Sequence, residues 1–99
     1  MGYSSILLQR AKKEFFEAVK WYEDKQLGLS ERFKNELYKR IDTIEQHPER
    51  YAQKVHPYRE TKMDVFPYLI IYRVNKSKNL IVITSIFRAS RNPKKKYKK

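Results

Sequence analysis

The sequence comprises 99 residues, 40% of them apolar and 14% aromatic, which suits one small folded domain and excludes a disordered chain. A chain of this length buries only roughly two-thirds of its unfolded surface, which argues against a deep catalytic cavity between two lobes. There is no cysteine, which excludes disulfides, thiolate nucleophiles and cysteine-ligated zinc. The net charge is +12, and no apolar run approaches the ~20 residues of a membrane span.

The N-terminal half predicts one short strand and two helices. Tyr3–Leu8 is an apolar run of strand length, and a helical repeat follows from Arg10. Gly28 is expected just after the first helix, where glycine tolerates a positive φ. Ser30 is the expected N-cap of the second helix, which Pro48 ends because proline disfavours helix at the residue before it. The short connection makes the helices an antiparallel hairpin. The apolar stripes of the two helices are Ala11, Phe15, Ala18, Val19 and Tyr22, then Phe33, Leu37, Ile41 and Ile44.

The C-terminal half predicts three strands. Residues 59–66 alternate between two faces, whereas Tyr68–Val74 and Leu80–Phe87 are apolar on both faces, which is typical of inner strands. Residues 49–58 are expected to be irregular. The order β-α-α-β-β-β predicts an α+β fold in which a helical hairpin packs on a small antiparallel sheet. One face of the first of these strands is predicted to present Arg59, Thr61, Met63 and Val65.

The positive charge is concentrated at the C-terminal end. Residues 88–99 carry seven lysines and arginines and no acidic residue. We therefore divide the chain into a single domain, residues 1–93, and a basic tail, residues 94–99. Such a tail favours a polyanionic partner, which is nucleic acid, an acidic protein or an anionic membrane surface, although a frayed and solvated terminus has the same composition.

Several kinds of site are disfavoured. Gly2 and Gly28 are the only glycines, so there is no glycine-rich nucleotide loop. His47 and His56 lack the spacing of a helical metal site, and we expect no metal and no cofactor. Most acidic residues alternate with lysines on the helices, as on a solvated helix face.

Basic and aromatic residues are the remaining candidates for function. They lie on or just beyond the predicted strands, where guanidinium groups suit phosphate contacts. Such a cluster could also stabilise a charged transition state on RNA, with a tyrosine or lysine moving protons. The alternative is that these charges only protect sheet edges from aggregation. The candidates are Arg59, Lys62, Arg73, Arg88, Arg91 and Tyr97.

Several segments, in order and over almost the whole chain, resemble the RelE/ParE toxin superfamily. The N-terminal matches are Ala18–Glu23 (AVKWYE), Gly28–Phe33 (GLSERF) and Ile44–Tyr51 (IEQHPERY). The C-terminal matches are Arg59 at the start of a strand, Val65–Val74 (VFPYLIIYRV) and Ser90–Pro93 (SRNP). The chain departs from many relatives at Arg88, where they carry histidine. The resemblance implies the same β-α-α-β-β-β fold.

The resemblance also implies the toxic half of a bacterial type II toxin–antitoxin, or plasmid stabilisation, system. RelE-like members cleave mRNA in the ribosomal A site with a basic set of residues, whereas ParE-like members are thought to poison DNA gyrase. The RelE-like catalytic positions fall on Lys62, Arg91 and Tyr97, but also on Glu60 and Leu69. An acid and an apolar residue would weaken phosphate stabilisation. The ParE-like branch is therefore favoured, with Lys62, Arg91 and Tyr97 catalytic only if the protein is RelE-like.

The expected partners follow from the same resemblance. They are a cognate acidic antitoxin and a cytoplasmic target, either DNA gyrase or the ribosome with its mRNA, and no membrane. Phe16 and Trp21, beside the core stripe of the first helix, are candidates for antitoxin binding or for ordinary flank burial. The candidates for target or nucleic-acid binding are Arg59, Arg73, Arg88 and Arg91. A third possibility is a non-toxic nucleic-acid-binding module.

Overall fold

The computed structural model describes residues 2–97 and confirms the α+β class and the predicted element order, with one additional strand. Lys98 and Lys99 of the predicted tail lie outside the described residues. Two short 3-10 turns, Lys76–Lys78 and Pro93–Lys95, follow the fourth and fifth strands. The main elements are β1 (Ser4–Leu7), α1 (Gln9–Lys25), α2 (Leu29–Gln46), β2 (Gln53–Val55), β3 (Tyr58–Lys62), β4 (Tyr68–Asn75) and β5 (Leu80–Arg88).

The five strands form one mixed sheet in the order β1-β5-β4-β3-β2. β2 to β5 pair antiparallel in succession, as predicted for the last three strands, but β1 pairs parallel with β5. The additional strand, β2, lies in the stretch predicted to be irregular, and all three of its residues are exposed. A fully exposed strand has no buried face, so it lacks the apolar alternation by which strands are recognised.

Two local predictions are wrong. α2 begins at Leu29, directly after Gly28 at φ +83°, so Ser30 lies buried within the helix and is not its N-cap. The left-handed glycine makes the sharp turn between the helices and leaves no room for a separate capping residue. β3 ends at Lys62, and the following turn leaves Val65 58% exposed although Met63 is buried. The alternation of buried and exposed residues therefore breaks at Val65.

Aromatic rings form the centre of the core between the helices and the sheet. Phe33 of α2 is fully buried, and its ring centroid lies 5.2 Å from Tyr22, 5.2 Å from Phe66 and 5.3 Å from Tyr68. These rings join the two helices to the turn before β4. The predicted apolar stripes of both helices supply the rest of the helical side of this core, which confirms the helical periodicity.

Tyr72 should make the protein sensitive to alkaline pH. Burial raises its pKa to about 12, from 10.0, and its hydroxyl donates to the Pro48 carbonyl at 2.8 Å. Above pH 10 the unfolded chain loses this proton while the folded chain keeps it, so the free energy of unfolding falls as pH rises from 10 to 12. The loss is roughly 2–3 kcal/mol, at about 1.4 kcal/mol per pKa unit.

Urea unfolding of the wild type and of Tyr72→Phe at pH 8 and pH 11.5 checks this prediction. The variant should lose about 1 kcal/mol at pH 8 with its hydrogen bond, and should then fall less than the wild type on going to pH 11.5. Equal falls in both proteins would contradict the role of Tyr72.

Neither α1 nor α2 is long and apolar enough to cross a bilayer, and the same holds for every helical segment within residues 2–97. Over the same range, no three histidine, aspartate or glutamate side chains are grouped in a way that could hold a metal ion.

Candidate functional site

Five of the predicted site residues line two pockets of the structure, and the other three lie apart from both. Trp21, Arg88 and Arg91 line one pocket beside α1, at the C-terminal end of β5. Tyr97 and Arg73 line a second pocket. The pairing of β3, β4 and β5 places Arg73 on the face of the sheet that points away from the core.

We call the first of these the Trp21 pocket. It has a volume of about 150 Å³ and lies between α1 and the end of β5. The structure thereby joins a residue predicted to bind an antitoxin with two residues predicted to bind a target. Its lining residues are Glu14, Glu17, Ala18, Trp21, Tyr68, Ile86, Arg88 and Arg91.

Two cations contact the indole of Trp21, which is 43% exposed. The Lys25 ammonium lies 4.1 Å from the ring centroid and the Arg88 guanidinium 5.2 Å from it. Cations are attracted to the negative face of an indole, so Trp21 favours these positions of both side chains. The Nε of Arg88 is buried and has no hydrogen-bond partner among the described residues.

The free edge of β5 explains why Glu14 lies beside this pocket. β1 pairs only with Leu80–Ile83, so the later part of β5 lacks a neighbouring strand on that side. The Glu14 carboxylate accepts hydrogen bonds from the Ser85 hydroxyl at 2.7 Å and from the Ile86 N–H at 3.0 Å. α1 thus supplies the acceptor that a strand would otherwise provide, and this contact fixes the wall of the pocket.

The C-terminal segment folds back so that Tyr97 reaches β3. The Tyr97 hydroxyl donates to the Glu60 carboxylate, and the Lys96 ammonium lies 3.2 Å from the same group. The Tyr97 ring packs on Tyr58 at a centroid distance of 5.1 Å. Arg10 of α1 donates to the carbonyl oxygens of Lys95 and Lys96, at 2.6 and 3.0 Å. These contacts hold residues 95–97 of the basic tail against the domain.

The environment of Tyr97 determines its protonation. Burial raises its pKa, and the hydrogen bond to the Glu60 carboxylate and the charge of that group raise it further. Tyr97 is therefore a neutral donor at physiological pH. A pocket of about 440 Å³ borders it, lined mainly by polar and aromatic side chains. The lining residues are Leu8, Gln9, Arg10, Tyr58, Arg73, Thr84, Lys96 and Tyr97.

The remaining predicted residues lie apart from both pockets. Arg59 faces the core side of the sheet and donates to the Tyr51 carbonyl at 2.8 Å, which secures the loop after α2. Lys62 is the last residue of β3, and its side chain is exposed. Phe16 is 66% exposed on α1 and contacts Phe15 at a ring distance of 5.7 Å.

Sequence reasoning missed the partners of Tyr97. Glu60 stood out only as a charge reversal at a catalytic position of the related toxins, and nothing marked Tyr58 or Arg10 as neighbours of the tail. The fold-back depends on contacts between positions more than 30 residues apart, which neither local periodicity nor spacing reveals. The excess of positive charge in the tail was the one signal of this fold-back, because lysine side chains are attracted to a carboxylate such as that of Glu60.

Neutralising Glu60 should loosen the C-terminal segment. In Glu60→Gln the Lys96 ammonium loses its partner, at a cost of roughly 1–1.5 kcal/mol. Trypsin cleavage after Lys94, Lys95 and Lys96, followed by mass spectrometry, should then be up to about tenfold faster. Glu31→Gln, which removes the carboxylate from an ion pair with Lys34 on α2, serves as the control. Equal cleavage rates in the two variants would show that Glu60 does not hold the segment.

Comparisons with known proteins agree with this architecture. Residues 6–93 match the family model described as "ParE toxin of type II toxin-antitoxin system, parDE". Among curated protein sequences, none matches this chain significantly. Of the solved structures, a chain from the chromosomal ParDE toxin–antitoxin system of P. aeruginosa is similar with a TM-score of 0.70 and 17% identity, covering 91% of this chain and 98% of that chain.

A second solved structure, the isolated RelE toxin of E. coli, is similar with a TM-score of 0.63 and 20% identity. The alignment covers 92% of this chain and 88% of that one. At these identities the two structures support the fold, whereas the family match carries the assignment.

Proposed function

We propose a mode of action for this chain, which belongs to the ParE toxin family of type II toxin–antitoxin systems. The protein inhibits growth by binding a macromolecular target such as DNA gyrase in the cytoplasm. An acidic antitoxin binds the protein and neutralises it. In this proposal the protein works by binding and does not cleave RNA. It acts in plasmid stabilisation together with its antitoxin.

The observation that carries this proposal is a group of contacts that we call the Glu60 cluster. It consists of Glu60, Lys96, Tyr97 and Tyr58. A ribonuclease of this fold needs cations to stabilise the phosphate and a group that moves a proton. Here a carboxylate occupies one of the positions at which the resemblance expects a positively charged residue, and the Tyr97 hydroxyl donates a hydrogen bond to that carboxylate. With its pKa raised, Tyr97 is a poor general base at neutral pH. Leu69 adds no positive charge at the other changed position.

The charge of the chain supports an acidic antitoxin. A net charge of +12 on 99 residues attracts a negatively charged partner over several ångströms and accelerates the encounter at low salt. Rapid capture suits a toxin that must be neutralised as soon as it is made. The same charge would also draw RNA, so charge alone does not separate the two candidate targets.

Induced expression in a bacterial host, with RNA integrity and plasmid supercoiling followed together, tests the proposal. We expect growth arrest with intact mRNA, relaxed plasmid and accumulated DNA breaks. Lys62→Ala should leave this arrest unchanged. The outcomes that would contradict the proposal are mRNA cut near the ribosomal A site, with Lys62→Ala relieving the arrest, or no arrest at all. The first would identify a RelE-like ribonuclease, and the second a non-toxic binding module.

A further inference from the structure

Arg88 lines the Trp21 pocket, and part of its hydrogen-bonding capacity is not used. Arg88 Nε is buried without a hydrogen-bond partner among the described residues, and its guanidinium is held against the Trp21 ring. A buried N–H donor without an acceptor is costly to the folded state. An acceptor entering the pocket would remove that cost, so the pocket is prepared for an anionic group.

The geometry of the donors limits the anion to a carboxylate or a phosphate. A guanidinium presents parallel N–H groups that match two oxygens of such a group. Arg91, which is exposed and lines the same pocket, supplies a second guanidinium. The cavity volume of about 150 Å³ suits a group as small as a carboxylate with its methylenes.

The lining of the pocket favours a peptide carboxylate over a nucleic acid. Glu14 and Glu17 both line it, so a chain of phosphates would face two like charges. A single carboxylate placed between Arg88 and Arg91 is less exposed to this repulsion. The half-exposed Trp21 ring offers an apolar surface for a neighbouring side chain of the same peptide. The positive charge of the whole protein complements an acidic peptide as well.

We propose that the Trp21 pocket binds one glutamate or aspartate side chain of the antitoxin, with an adjacent apolar residue packed on Trp21. The guanidinium of Arg88 donates hydrogen bonds to the carboxylate, and the guanidinium of Arg91 supplies further donors at the same pocket. This inference rests on the proposed function, because it takes the antitoxin as the occupant. It also makes Arg88 and Trp21 a single recognition unit, where the sequence had assigned them to different partners.

Trp21 is the only tryptophan of the chain, so tryptophan fluorescence reports on this pocket alone. The full-length protein is titrated with N-acetyl-Leu-Glu-amide and, as the matched neutral probe, N-acetyl-Leu-Gln-amide. We expect the glutamate peptide to change the tryptophan fluorescence saturably, with a Kd in the millimolar range. The glutamine peptide should bind at least tenfold more weakly. Arg88→Lys should weaken binding of the glutamate peptide at least tenfold, because lysine lacks the planar pair of donors. Arg32→Ala, an exposed arginine of α2 outside the pocket, should leave it unchanged.

Three results would overturn the inference. They are equal responses to the two peptides, binding unaffected by Arg88→Lys, and tighter binding of a dT oligonucleotide or of inorganic phosphate than of the glutamate peptide. Circular dichroism of each variant confirms that it is folded. The titration does not depend on toxicity, so failure of the growth assay and failure of this assay are distinguishable.

Discussion

Phe33→Ala is expected to lower the free energy of unfolding by about 3–5 kcal/mol, the usual cost of truncating a fully buried phenylalanine. The ring joins α2 to α1 and to the turn before β4, because its centroid lies 5.2 Å from Tyr22, 5.2 Å from Phe66 and 5.3 Å from Tyr68. Small domains are stable by only ~5–15 kcal/mol, so the variant should be close to unfolding at 37 °C. Urea unfolding followed by far-UV circular dichroism measures the loss.

Phe16→Ala provides a matched control with the same substitution on the neighbouring helix. Phe16 is 66% exposed, so its truncation should cost less than about 1 kcal/mol. Similar losses in Phe33→Ala and Phe16→Ala would mean that the core is not centred on Phe33.

Glu14→Ala is expected to lower the free energy of unfolding by roughly 2–4 kcal/mol. The substitution leaves the buried Ser85 hydroxyl and the Ile86 N–H without their acceptor, and each hydrogen bond to a charged group contributes about 1.5–3 kcal/mol. It also removes the ion pair with Arg10, at 3.3 Å. The measurement is urea unfolding at pH 7.

Two further variants separate the hydrogen bonds of Glu14 from a general loss of charge on α1. Glu17→Ala removes an exposed carboxylate one turn further along α1 and should change stability by less than about 0.5 kcal/mol. Glu14→Gln keeps one acceptor oxygen and should fall between the wild type and Glu14→Ala. If Glu17→Ala lost as much stability as Glu14→Ala, Glu14 would not act as the acceptor at the free edge of β5.

The helices and strands that could be predicted from the sequence are those in which at least one face is buried. The stripes of α1 and α2 and the apolar runs of β4 and β5 are local patterns, and local patterns were sufficient to place them. β2 was not predictable because all of its residues are exposed. The start of α2 was misplaced because serine is common at N-caps, whereas here Gly28 turns the chain and Ser30 is buried.

The site was predictable in its residue types but not in its grouping. Charge and aromatic content made Arg88, Arg91 and Tyr97 candidates, and the position of Trp21 beside the core stripe of α1 made it one. Their partition between the Trp21 pocket and the Glu60 cluster depends on the edge of β5 and on the fold-back of the C-terminal segment. Such contacts join positions that are distant in the sequence, and no single-sequence pattern encodes them.

The proposal that the toxin acts by binding is tested most directly with purified components. The full-length protein is incubated with DNA gyrase, ATP and relaxed plasmid, and in parallel with translating ribosomes and a defined mRNA. We expect loss of supercoiling in the first reaction and intact mRNA in the second. Cleaved mRNA together with full gyrase activity would contradict the account.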